Sequence, residues 1–145
     1  DAVSIQKASR FAGLRFDLVF CNVDEAAVLL GRKKNSTDNA ARALVELGHG
    51  AAVVTHGPGG ASWANAQGSG HCPAINTVHG DVTGAGDSLI AGTLVGLNRG
   101  ETLGRAVTLG TKLASLALGR AGASSAALQA RTPTDSEASS KKENP

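Results

Sequence analysis

The stretch GDVTGAGDSLIAG, residues 80 to 92, places Gly84, Ala85 and Gly86 between two aspartates and runs straight into an apolar, helix-like segment. A glycine-rich turn at the start of a helix presents backbone N–H groups that have no partner inside the helix, and the helix dipole adds partial positive charge there. Such a turn binds anions, and its small residues let a phosphate approach the backbone closely. Asp87 then stands in the first helical turn beside that anion. A carboxylate there is electrostatically costly unless it has work to do. The work that fits is accepting a proton from a hydroxyl as it attacks a γ-phosphoryl group, while the N–H groups of Gly84, Ala85 and Gly86 form an anion hole for the transferring charge. The stretch reads as a kinase catalytic turn with Asp87 as general base. A bare G-x-G-D has a plainer reading, a capped helix start whose Asp complements the dipole, so the wider context decides.

That context resembles the second signature of the ribokinase-like (PfkB) carbohydrate kinase family, in which an Asp-Thr-x-Gly-Ala-Gly-Asp stretch forms the anion hole and carries the catalytic base. Val82 stands where Thr is frequent, and Thr93 where a bulky apolar residue often follows Ala-Gly; neither touches the chemistry. Two further stretches agree with the family in order and spacing. NVDE resembles its Asn-x-x-Glu motif, which implies that Asn22 and Glu25 help hold the water shell of a Mg²⁺ ion bridging the phosphates. Taken alone, the same four residues form a capping box, with Asn22 as N-cap and Glu25 reaching back. VVTHGPGG resembles the strand and Gly-x-x-Gly turn under the nucleotide, which implies that Thr55, Gly57 and Gly60 lie along the phosphates and ribose of ATP. Taken alone, it is a hairpin turn.

In the late helix the family often carries an Ala-Asn pair that completes the adenine pocket. This sequence reads LGTKLASLALGRAGA, which implies Gly110 and Thr111 in that place. His49, His56, His71 and His79 show no ligand spacing and read as loop residues, of which only His56, inside the glycine turn, is placed to touch a nucleotide. The resemblance spans residues 1 to 125 and implies the C-terminal part of a ribokinase-like, doubly wound α/β sheet flanked by helices. The N-terminal half, with the lid and first signature that shape the sugar site, is then missing from these residues. The opening DAVSIQKASR followed by FCNVDEAAVLLG leans toward the pseudouridine kinase branch.

The elements that must position these groups are visible in the pattern. DLVFC, residues 17 to 21, predicts a buried strand, and the following segment predicts a short helix closed by Gly31. After a polar loop, Ser36 or Thr37 can cap a helix carrying Ala40, Ala41, Leu44, Val45 and Leu47 at helical spacing up to Gly48. AAVVTHG predicts a strand ended by GPGG, with ASWANAQ returning antiparallel. In the helix from Ser88 to Leu97, the residues Ser88, Gly92 and Gly96 leave one face almost bare, so something packs very closely on it. Residues 101 to 118 predict another helix, with Leu103, Val107, Gly110, Leu113, Ala114 and Ala117 on one side and Arg105, Thr108 and Lys112 facing away.

The chain has 145 residues with a formal charge of +2, 41% apolar residues, 19 glycines and three Phe, one Trp and no Tyr. That is enough for one domain, with residues 1–128 forming the kinase part and the polar residues 129–145 a disordered tail. The scattered basic residues exclude a nucleic-acid face, no apolar run approaches a membrane span, and no signal peptide is visible, so the chain reads as cytoplasmic. Cys21 and Cys72 read as reduced thiols. The lack of Met and the start at Asp1 read as a processed chain or fragment. The implied partners are a small sugar or nucleoside substrate, ATP and Mg²⁺, and the missing half; a homodimer is compatible with them. The rival reading is a truncated, non-catalytic paralogue serving as a nucleotide-binding or assembly module. A dinucleotide-binding oxidoreductase is disfavoured, since no G-x-G-x-x-G follows an early strand.

Overall fold

The computed structural model describes residues 9–11, 13–32, 37–75 and 84–129. Residues 1–8 of the opening behind the pseudouridine kinase lean, Ser36, His79, residues 80–83 of the glycine stretch and the polar tail from residue 130 lie outside them.

A sheet of four strands runs in the order β1 (Val19–Asn22), β2 (Ala51–Thr55), β3 (Ala61–Asn65), β4 (Gly68–Cys72). β1 and β2 are parallel, and β2, β3 and β4 form an antiparallel meander. Two helices, α1 (Val23–Leu30) and α2 (Thr37–Glu46), connect β1 to β2; α3 (Ala85–Asn98) and α4 (Leu103–Gln129) follow the sheet. Parallel neighbours need such a crossover, whereas the antiparallel pairs close through short turns.

Strand alternation sorts the core into two layers. Val19, Cys21, Ala52, Val54 and Ala64 point to the face covered by α1 and α2, where Ala26, Leu29, Ala41 and Leu44 meet them. Phe20, Val53, Ala61 and Cys72 point to the other face, against Leu89, Leu103 and Val107 of α3 and α4. Helices on both faces of a sheet are the expected α/β arrangement.

The bare face of α3 meets α4. A methyl group on Gly92 would come to 2.7 Å from the Gly110 Cα, and one on Gly96 to 2.8 Å from the Ala106 Cα, so the two backbones touch. α3 begins at Ala85, three residues before the predicted start. α4 starts at Leu103 and runs to Gln129, well beyond the predicted limit of 118 and one residue into the stretch read as tail. Leu103, Val107 and Gly110 are buried and Arg105, Thr108 and Lys112 exposed, as the periodicity requires, although Leu113 is 37% exposed.

β4 is absent from the sequence reading. GSGHC has no β-branched residue, and its pairing is set by the turn before it, where Asn65 Oδ1 accepts the N–H groups of Gln67 and Gly68 at 3.0 and 3.1 Å. His71 therefore belongs to a strand rather than a loop, and its Nδ1 is 2.9 Å from Ser62 Oγ across the pair. Both cysteines are buried free thiols.

Candidate active site

The parallel strands end side by side, with Asn22 and Thr55 as register partners. In an open α/β sheet the C-terminal strand ends are where ligands bind, because loops and helix N-termini gather there. β1 leads directly into α1, β2 into the glycine turn, and α3 starts close to both.

At the first of these junctions Asn22 Oδ1 accepts the Glu25 N–H and Glu25 Oε2 accepts the Asn22 N–H, both at 2.9 Å. This is the capping box, and it is complete. Gly31, at φ 59°, closes the helix with its N–H on the Val28 carbonyl at 3.1 Å. Glu25 is buried, yet it borders a cavity of about 170 Å³ together with Phe20, Cys21, Asn22, Thr55, Gly86, Asp87, Leu89 and Ile90. The two motif residues and the expected base thus share one cavity. Burial, reinforced by the nearby Glu25 charge, pushes the Cys21 thiol up to about 12, so it stays protonated and inert beside them.

The start of α3 has the geometry of an anion cradle. Gly84 is in the left-handed region at φ 82°, and the first helical bond joins the Ser88 N–H to its carbonyl at 3.0 Å. The N–H groups of Ala85, Gly86 and Asp87 therefore have no acceptor within the helix, and Gly84 at the N-cap has no side chain to offer one. Among the described residues, apart from the chain on either side, nothing lies within 4 Å of where a Cβ on Gly84 or Gly86 would stand. Asp87 is exposed on this turn.

A second cavity, about 280 Å³, lies on the other side of Thr55 and Gly86. It is walled by Gly57, Pro58 and Gly60 from the turn after β2, by Ala74 and Ile75 after β4, and by Thr111, Ala114, Ser115 and Leu118 of α4. Gly60 cannot be replaced here: its φ is 90°, and a Cβ would meet the Cys72 carbonyl oxygen at 2.2 Å. Thr111 Oγ1 donates to the Thr108 carbonyl at 2.9 Å.

Thr55, Gly57, Gly60 and Thr111 of the expected nucleotide residues are thus brought together with Ala85 and Gly86. Gly110 is placed differently, inside the contact between the helices, where a Cβ would meet the Leu89 carbonyl oxygen at 2.4 Å and Thr93 Oγ1 at 2.5 Å. His56 is exposed and does not line either cavity. The reading from sequence missed Pro58, Ile75, Leu89 and the α4 residues after Thr111. Ala114, Ser115 and Leu118 follow Thr111 at helical spacing and were accessible by that signal; Ile75, after an unrecognised strand, was not.

Among the described residues no cluster of three or more His, Cys, Asp or Glu could hold a metal directly. Two carboxylates and one amide bordering the same cavity suit a cation that keeps several waters and takes its remaining oxygens from phosphate, which is the habit of Mg²⁺. Among the described residues no helix is long and apolar enough to cross a membrane.

Residues 6–131 match the pfkB family carbohydrate kinase profile, and the chain belongs to that family. Fructoselysine 6-kinase of Escherichia coli (strain K12) is 43% identical over 75 residues, 51% of this chain and 28% of that protein. 1-Phosphofructokinase of the same strain is 35% identical over 106 residues, 70% of this chain and 33% of its own length. The crystal structure of ribokinase from Thermotoga maritima superposes with a TM-score of 0.64 at 28% identity, over 75% of this chain and 38% of that one. The chain therefore spans about a third of the length of the curated relatives it matches.

Proposed function

We propose that this chain carries the nucleotide-binding and phosphoryl-transfer part of an ATP-dependent kinase whose acceptor is a hydroxyl of a sugar or nucleoside. The observation that carries the reading is the meeting of two unlike cavities at one helix start. The apolar cavity suits a nucleoside, the acid-lined cavity suits reacting groups, and both border Gly86, whose N–H is unpaired in the helix.

The chemistry follows from these groups. The ATP phosphates lie across the N-terminus of α3, where the N–H groups of Ala85, Gly86 and Asp87 stabilise charge on the transferring phosphoryl group. Asp87 takes the proton of the acceptor hydroxyl as its oxygen bonds to the γ-phosphorus; the bond from that phosphorus to the β–γ bridging oxygen breaks, and ADP leaves. Asn22 and Glu25, held rigid by their reciprocal bonds, would hold the water shell of a bound Mg²⁺. When bound, Mg²⁺ supplies neutralisation of phosphate charge. Holding the acceptor in line with the phosphorus is worth about 7–11 kcal/mol, and the elements that do so are proposed to lie outside these residues.

The test is ATP-dependent phosphorylation by the full-length protein with ribose, fructose 1-phosphate, fructoselysine and pseudouridine as acceptors. Transfer to at least one, abolished by Asp87→Asn, is expected. ATP binding without transfer to any acceptor would favour the non-catalytic binding module.

A further inference from the structure

Thr55, Gly86 and Leu89 line both cavities. Gly86 has no side chain and Thr55 is small, so among the described residues that line both the apolar and the acid-lined space Leu89 is the bulky one. Its side chain is buried, 6% exposed, and packs in the layer with Phe20, Val53 and Val107. Its backbone is fixed from behind as well. Its carbonyl accepts the Thr93 hydroxyl at 2.8 Å, and α4 approaches it so closely that Gly110 has no room for a methyl group. A side chain held this firmly from two sides is a wall rather than a flexible lining.

Resting on the kinase reading above, we propose that Leu89 is a positioning residue that keeps water in the nucleoside cavity from reaching the transferring phosphoryl group, and so sets the choice between an acceptor hydroxyl and water. Phosphoryl transfer is open to this side reaction because water can do what the acceptor does. Its oxygen bonds to the γ-phosphorus, the β–γ bridging bond breaks, the proton passes to Asp87, and the products are ADP and inorganic phosphate. Excluding water at closure is the general protection against it. Shortening Leu89 to Ala would join spaces of about 280 and 170 Å³ through the wall they share.

The experiment compares wild type, Leu89→Ala, Leu89→Val and Leu89→Met in the full-length protein by two readouts. One is the ratio of acceptor-independent ADP release to acceptor phosphorylation. The other is the emission of a bound ATP analogue carrying an environment-sensitive fluorophore on its ribose, which reports water in the cavity without turnover. Leu89→Ala should raise the ratio about 10-fold or more and shift the bound emission toward its value in water, Leu89→Val should do so partially, and Leu89→Met should restore both. If Leu89→Ala fails to fold, the Val and Met pair carries the same test. An unchanged ratio and emission in a wild-type-competent kinase overturn the wall. A wild type that binds the analogue but transfers to no acceptor overturns the kinase reading instead, and the emission series then decides the wall alone.

Discussion

Asn22 and Glu25 each hold the other's backbone N–H at 2.9 Å, so a pair that the family resemblance assigns to metal waters is also the cap of α1. The two roles can be separated, because Gln at the position of Glu25 still offers an oxygen to the Asn22 N–H but carries no charge. Glu25→Gln is expected to leave the melting temperature nearly unchanged and to raise the Mg²⁺ concentration for half-maximal activity severalfold. Glu25→Ala should add a loss of about 1 kcal/mol in denaturant unfolding, the worth of a lost cap. A Glu25→Gln enzyme with ordinary Mg²⁺ dependence would leave the pair with capping alone.

Asp87 offers the cleaner test of chemistry. It is exposed in the first turn of α3 and no structural bond depends on its side chain among the described contacts. Asp87→Asn should therefore fold normally and bind ATP nearly as before, with kcat lower by about 10²-fold or more, the cost of losing a general base. Near-normal turnover would remove the assignment.

Two glycines of the same helix pair should answer oppositely to the same added methyl group. Gly110→Ala drives a Cβ into the Leu89 carbonyl oxygen and Thr93 Oγ1, so it should cost about 1–3 kcal/mol as overpacking does. Gly86→Ala meets nothing within 4 Å and adopts a residue that helices favour, so stability should hold while the KM for ATP rises as the cradle fills. Denaturant unfolding followed by the fluorescence of Trp63, the one tryptophan, separates them. Equal destabilisation by both would mean that the start of α3 has no more room for a methyl group than the helix crossing does.

These same residues mark what sequence alone could tell. The α1 caps and the α3 turn depend on contacts a few residues apart, and they were legible; the parallel pairing of β1 with β2 joins distant residues and was legible through the order of strand, helix and strand. So was the bare face of α3, from the spacing of Ser88, Gly92 and Gly96. Gly110 was read as a nucleotide contact from its place in the family's Ala-Asn pair, yet a missing side chain at that place also lets a neighbouring helix approach; only the three-dimensional partner tells the two apart. β4 escaped because its strand character comes from pairing with β3, and with it went Ile75, which β4 delivers to the cavity. Leu89 looked like ordinary apolar bulk, since nothing local signals that one side chain borders two spaces.

The last prediction concerns pH and stability through His49. This ring is buried, its Nδ1 accepts the Phe16 N–H at 3.3 Å, and it stacks on the Phe16 ring at 5.7 Å with only 4° between the planes. Burial, and then the charge of Arg15, lower its pKa below the ordinary 6.5. An unfolded chain has the ordinary value, so on acidification it takes up the proton before the folded chain does, and the equilibrium moves toward unfolding. The contribution is complete above pH 6.5, declines as pH falls from there toward the folded value, and is level below it. His49→Gln keeps an acceptor for Phe16 but does not titrate. Denaturant unfolding at a series of pH values from 7.5 to 5 should give wild type a steeper fall in stability than His49→Gln across the region just below 6.5. Parallel curves would show that folding does not lower the pKa of the ring, and a wild type that gained stability relative to the variant on acidification would reverse the sign of the assignment.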